Sequence, residues 1–321
     1  MDRQEFLTSV SLFGFASLSG KSLADIGEGD DASSLPIVDT HQHLVDFNRF
    51  GKNWANPPVA GNYGMAEYKK AIKGLNIVKA VYMEVGVAQD NRDEEARYAI
   101  ELCNDKSNPT VGAVIAADIY SDDFRSNISK FKGMPCIKGI RAGFRSPESI
   151  LDGRIVDNIR FLGDMGMRFD FIVQPTWFPN MAQLIKKCPD TQFHADHCGN
   201  ADPRAFFDNT TQYGKPDHAG DEWIDGISSI AAQMNVVCKL SGLVSRSNGY
   251  PITAGNLAPV IDHCFEIFGA ERVMFASDWP WCLKGMAVSG WVSLLKQIVK
   301  SRPFEDQKKL FHDNAIRHYK I

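Results

Sequence analysis

Two short segments at opposite ends of the chain constrain its fold more than any other feature. They are Ile37-Val38-Asp39-Thr40-His41-Gln42-His43 and Val273-Met274-Phe275-Ala276-Ser277-Asp278-Trp279-Pro280. Each reads as a β-type run that ends in groups able to bind a metal, polarise a carbonyl or move a proton. Residues two apart in a strand face the same side, so His41 and His43 present two imidazoles to one spot. Asp278 reaches that spot only if the first and last strands are neighbours. A closed, repetitive architecture does this, and an eight-stranded parallel barrel is the obvious one.

The intervening sequence supplies the repeats. Runs rich in branched and aromatic residues occur at Ile37 to Thr40, Val78 to Val85, Val111 to Ala117, Ile137 to Ala142, Phe169 to Gln174, Gln192 to Ala195, Val236 to Ser241 and Val273 to Ser277. Helix-like segments separate them, and two more, Val288 to Lys300 and Glu305 to Tyr319, follow the last. Strands alternating with helices imply βαβ units and parallel pairing. The expected fold class is α/β, a (β/α)8 TIM barrel filling residues 35–321 as one domain. A doubly wound open sheet is the competing arrangement, but no Gly-x-Gly-x-x-Gly or Walker-type loop follows any strand.

The 321 residues are 44% hydrophobic and 23% charged with a net charge of −4, and no Lys/Arg block stands out. That balance gives no footprint for nucleic acid and favours a small-molecule partner. Seven scattered cysteines form no Cys-x-x-Cys pair and read as reduced thiols. Residues 1–34 read as a leader or disordered tail. A weakly apolar stretch follows Arg3, resembling a degenerate twin-arginine leader with Arg3-Gln4 in place of the pair, so export and a cytoplasmic location both stay open. No later stretch is long and apolar enough for a membrane span. The sequence leaves the oligomeric state open.

Active groups of such barrels sit at the C-terminal ends of the strands. In order, these ends carry His41 and His43, Glu84, Asp118, Arg141, Gln174, His194 with Asp196 and His197, Lys239 with Ser241, and Asp278. Two long connections are further candidates for the pocket rim. One is Asp46 to Gly64, with Phe47, Trp54, Pro57, Pro58 and Tyr63, which is too proline-rich for a helix; the other is Tyr213 to Gly220, whose His218 is expected to face solvent.

Asp-Thr-His-Gln-His, His-Ala-Asp-His-Cys-Gly, Cys-Lys-Leu-Ser-Gly-Leu and Phe-Ala-Ser-Asp-Trp-Pro, in that order and at barrel spacing, resemble the amidohydrolase superfamily. The branch that the chain resembles contains sugar-acid lactonases such as fuconolactonases, and 2-pyrone-4,6-dicarboxylate lactonase. The resemblance implies a hydrolase that opens a lactone of a sugar acid or a related polyhydroxy or dicarboxylic acid. Metal-dependent members similar to this chain add a histidine at the end of the fifth strand. Gln174 stands there instead, and an amide is a poor zinc ligand. The expectation is therefore no obligatory metal, with one zinc held by His41, His43 and Asp278 as the alternative.

Ester cleavage needs a base for the attacking water and donors for the carbonyl oxygen. Asp278 is the candidate base, and His41, His43 and His197 are candidates for polarising the carbonyl. Arg141 is a candidate bidentate grip on a carboxylate or hydroxyl pair, or else a salt bridge at the barrel mouth. Gln174, Lys239, Glu84 and Trp279 are further candidates for substrate contact, with an ion pair the alternative for Lys239 and for Glu84. A zinc-dependent amidohydrolase or decarboxylase, and a non-catalytic carbohydrate-binding barrel, are the alternative functions.

Overall fold

The computed structural model describes residues 34–51, 61–207 and 210–321. The eight strands are β1 (Ile37–Gln42), β2 (Ile77–Met83), β3 (Thr110–Ala116), β4 (Ile137–Arg141), β5 (Arg168–Phe171), β6 (Gln192–Ala195), β7 (Val236–Leu240) and β8 (Val273–Phe275). They form one parallel sheet in sequence order. One principal helix follows each strand: α1 (Met65–Ala71), α2 (Arg92–Asn104), α3 (Phe124–Ser129), α4 (Gly153–Asp164), α5 (Phe178–Lys187), α6 (Gly220–Ala231), α7 (Ala254–Phe268) and α8 (Val288–Val299).

The ends of the sheet meet. Thr40 Oγ1 donates to Phe275 O at 2.6 Å, Asp278 N donates to His41 O at 3.0 Å, and His43 N donates to Trp279 O at 2.8 Å. Asp39 reinforces the seam, accepting from Ser277 N at 2.9 Å, from Ser277 Oγ at 2.6 Å and from Tyr68 OH at 2.7 Å. The result is the (β/α)8 barrel expected from the alternation.

Apolar surface is buried in two places. The larger layer lies between strands and helices, while a smaller cluster of Val38, Val81, Met83, Val114, Val237 and Met274 fills the lower barrel interior. Val38 and His41 both face inward although they are three residues apart, a parity that a regular strand cannot give. The β1–β2 register shifts between Asp39 and Gln42, and this irregularity turns the end of β1 so that both histidines point inside.

One expectation is refined and two are corrected. The last helix, expected from Glu305 to Tyr319, is helical throughout from Phe304 to Tyr319, but a wide π turn at Lys309–Asp313 interrupts its α-helical stretches Phe304–Lys308 and Asn314–Tyr319. The extra residue of a π turn rotates the helical segment beyond it, and here Leu310 and Phe311 within the turn and Ala315 and Tyr319 after it are all buried. The connection after β1 contains a helical turn, Phe47–Phe50, capped by the Asp46 carboxylate, which accepts from Asn48 N at 2.9 Å. Trp54, Pro57 and Pro58 of that connection lie outside the described residues, as do residues 1–33 of the expected leader. Finally, His218 is buried, not solvent-facing, with Nε2 accepting from Asp202 N at 2.8 Å. All seven cysteines are free thiols.

Candidate active site

β1 delivers His41 and His43 with their Nε2 atoms 3.0 Å apart. Asp278, three residues past β8, places Oδ1 3.9 Å from His41 Nε2, 3.7 Å from His43 Nε2 and 3.8 Å from His197 Nε2. Four groups from three separate strand ends thus converge on one point.

Two irregular turns make this possible. His197, Cys198, Gly199 and Asn200 follow β6 with φ of 56°, 52°, 63° and 59°, a left-handed turn that only glycine adopts without cost. Asp278 is likewise left-handed, at φ 56°. His197 is also shaped by its neighbour after β7: a Cβ on Gly242, itself at φ +76°, would lie 2.5 Å from His197 Cβ. Glycine at 242 is what leaves room for the ring, whose Nδ1 sits 2.9 Å from Ser241 Oγ.

Burial governs the electrostatics. It pushes the Asp278 carboxyl up to about 8, against the opposing pull of Arg141 and the Ser245 hydroxyl. It holds His41 and His43 well below the usual imidazole range and His197 at about 4, so all three rings are neutral near pH 7. His43 Nδ1 lies 3.1 Å from Met83 O, which can only accept. Its hydrogen is therefore on Nδ1, and the Nε2 that faces Asp278 is a bare lone pair. A neutral His43 in this orientation accepts at the centre of the cluster, where the sequence suggested a donor.

A cavity of about 320 Å³ opens over the cluster. His43, His197 and Asp278 form its floor, Arg141 and Arg246 its polar walls, and Trp281, 4.5 Å from the His43 ring, an aromatic one. His41 lies beneath, fully buried. Arg141 lines the cavity and is also the salt bridge. It donates through Nε to Glu84 Oε1 at 2.6 Å and lies 3.7 Å from Asp196 Oδ2 through Nη1. Glu84 is thereby committed to Arg141 and, through Oε2, to Gly86 N at 2.7 Å.

The other candidates lie elsewhere. β5 ends at Phe171, so Gln174 falls on the following turn, exposed, with its Oε1 3.4 Å from Asn200 Nδ2. Ile172 occupies the cavity wall at that strand end. Trp279 is buried and packs edge-on against Tyr63 and Tyr68, behind the wall formed by Trp281. Lys239 is fully buried under His41, in contact with Asp170 Oδ2 and 3.1 Å from Asp196 Oδ1. His194 faces the barrel floor, 3.0 Å from Tyr319 OH. Asp118 lines a different cavity, between α2 and α3.

Asn200, Ser245 and Arg246 line the cavity without having been singled out from the sequence. Arg246 donates to Asn200 Oδ1 and to Asp217 Oδ2, both at 2.6 Å. Only the closeness of Asn200 to the His197 motif hinted at any of them.

A divalent ion fits the spacing of this cluster. The ligand atoms of His41, His197 and Asp278 all lie within 4.8 Å of one another, with His43 alongside. Ligand atoms about 2.0–2.2 Å from a single zinc stand at comparable separations, and neutral imidazoles with a carboxylate are a suitable donor set.

The family model described as Amidohydrolase matches residues 38–321. An L-fucono-1,5-lactonase of Burkholderia multivorans is 23% identical over 88% of this chain and 96% of its own length. An L-rhamnono-gamma-lactonase of Scheffersomyces stipitis is 25% identical over 90% of this chain and 100% of its own. Among solved structures, an amidohydrolase from Burkholderia multivorans with bound zinc superposes with a TM-score of 0.75 at 20% identity, covering 89% of this chain and 99% of the other.

Proposed function

This chain belongs to the amidohydrolase family, and from that premise we propose that it hydrolyses a lactone of a sugar acid or a related polyhydroxy or dicarboxylic acid. The observation that carries the reading is the convergence of His43, His197 and Asp278 at the floor of a small polar cavity. The similarity to two sugar-acid lactonases supports the choice of a cyclic ester over other substrates.

Asp278 serves as the base. Buried, with its carboxyl raised to about 8, it is a stronger base than a solvated carboxylate, and in its ionised form, which prevails above that pH, it takes a proton from an attacking water and returns it to the leaving alkoxide. The carbonyl oxygen gains charge during attack and needs a fixed donor, worth roughly 2.7–4 kcal/mol per hydrogen bond at such a centre. His197 supplies one if the Ser241 hydroxyl donates to its Nδ1, which puts the ring hydrogen on Nε2. Arg141, fixed by Glu84, adds a positive charge at the wall. Trp281 offers a flat face to a sugar ring.

The second reading, a zinc-dependent hydrolase or decarboxylase, is favoured by the spacing of His41, His197 and Asp278. These three, with His43, would hold the ion, which when bound supplies Lewis-acid polarisation of the carbonyl. One experiment addresses both readings: a panel of sugar-acid and dicarboxylic lactones followed with a pH indicator, before and after chelator treatment. Ring opening that survives chelation is expected. Activity lost on stripping and regained with about one zinc per chain would transfer the proposal to the metal-dependent reading, and no turnover of any lactone would sink both lactonase versions.

A further inference from the structure

We propose that the lower end of the barrel, on the face opposite the catalytic cavity, carries a binding site for a small organic anion: a phosphate or carboxylate head held by Lys138 and Arg168, with an apolar body lying on Met134 and Met165. The proposal goes beyond lactone hydrolysis and holds whatever the upper cavity turns over.

A cavity of about 350 Å³ opens there, between the entries to β4 and β5 and the end of the helical stretch Asn314–Tyr319. Four of its lining residues are cations, Lys132, Lys138, Arg168 and Lys320, and none is an acid. Lys138 and Arg168 are only 8% and 7% exposed. Lys138 Nζ donates to Lys320 O at 2.9 Å, and Arg168 donates through Nε to His318 O and through Nη1 to Gly166 O, both at 2.7 Å. Each of these acceptors is a neutral carbonyl. Among the described residues neither cation pairs with a carboxylate, and the other hydrogens of the ammonium and the Nη2 of the guanidinium have no protein acceptor.

Charge at this end does not balance. The other buried cations, Lys239 and Arg204, each contact a carboxylate, Asp170 and Asp202. For Lys138 and Arg168 the carbonyl end of a helix stands in, and it amounts to only about half an elementary charge against two full positive ones. The Cys136 thiol, lowered to about 6 chiefly by its contact with Cys103, adds one negative charge near Lys138, while Lys132 and Lys320 add two further positive ones. Asp170 acts on Arg168 from inside the barrel but is already engaged by Lys239. Burial lowers both groups from their ordinary values, and Arg168 adds to the effect at Lys138. Charge taken out of water without a counter-charge is costly, and an anion seated between the two offsets that cost.

The walls define the rest of the ligand. Met134 stands 41% exposed beside the cations, and Met165 and Pro135 continue an apolar surface around them. Thioether side chains adapt to bodies of different outline, which suits an organic anion better than a bare inorganic one. Occupancy also has a mechanical consequence. Tyr319 and Lys320 line the cavity, and Tyr319 holds Asp170 inside the barrel. A bound anion therefore braces the segment that seals the barrel floor, and it raises thermal stability by mass action.

The test uses the full chain and no lactone, so its outcome is independent of the hydrolysis screen. Phenyl phosphate and phenylacetate, one probe for each source of anionic oxygens, are titrated calorimetrically at constant ionic strength into the native protein, Lys132→Glu, Lys138→Met and Arg246→Met. Saturable binding of at least one probe is expected, and whichever binds identifies the head group. Affinity should fall about tenfold or more in Lys132→Glu and in Lys138→Met, as the loss of a charge-assisted contact requires. It should be unchanged in Arg246→Met, whose missing cation belongs to the catalytic cavity. No saturable binding of either probe, or binding that Lys132→Glu leaves unchanged, overturns the proposal. If Lys138→Met does not fold, Lys132→Glu, which alters an exposed side chain, decides alone.

Discussion

Asp278 illustrates how a side chain's surroundings set its chemistry. Burial raises its carboxyl to about 8, and a base works only when deprotonated, so kcat/KM on a lactone should climb as pH rises through about 8 and level off above. Asp278→Asn should remove that limb and lower kcat by two or more decades with KM changing less, both read from a pH–rate profile. Arg141 has a less separable role. It lines the cavity but also neutralises Glu84 and approaches Asp196, so Arg141→Met strips a partner from buried charge. Loss of one member of a buried pair typically costs about 3–5 kcal/mol, and the melting temperature should fall together with a rise in KM. An unchanged melting temperature with a raised KM would restore it to a pure substrate grip. At this scale the sequence was legible where spacing alone sufficed, as for His41 and His43. It was illegible where burial decides, since nothing in the motif around Lys239 says that its charge is spent inside the barrel on two aspartates.

Strands and turns were legible to different degrees. The strand positions followed from branched and aromatic runs, because such runs have few other places to go in a chain of this composition. Their ends did not: the apolar run Phe169 to Gln174 continues past the last paired residue, Phe171, which moved Gln174 off the barrel mouth. The turn after β6 was hidden because left-handed backbone at His197, Cys198 and Asn200 has no local signature beyond the single Gly199. The glycine that shapes it lies in another turn altogether. Gly242→Ala adds a methyl 2.5 Å from His197 Cβ at a φ of +76°. It should lower kcat at least tenfold through displacement of His197 and also reduce the melting temperature, because strain at a left-handed position costs of order 1–3 kcal/mol. Full activity in that variant would mean that His197 does not need its present placement.

The barrel is closed at its lower end by the segment 314–321. Tyr319 is fully buried, with its hydroxyl 3.1 Å from Asp170 Oδ2 and 3.0 Å from His194 Nδ1. Arg168 donates to His318 O at 2.7 Å, and Lys138 donates to Lys320 O at 2.9 Å, fastening the last turn to β4 and β5. Tyr319→Phe leaves the packing and removes only the hydroxyl, so thermal unfolding should register a loss of about 1–3 kcal/mol, the cost of buried polar groups left short of a partner. A stability change near zero would mean that Asp170 and His194 need no partner from that segment. This tether joins the two ends of the barrel: Tyr319 shares Asp170 with Lys239, which lies against His41, so a cleavage that frees the segment 314–321 should loosen the layer beneath the cavity as well as the floor.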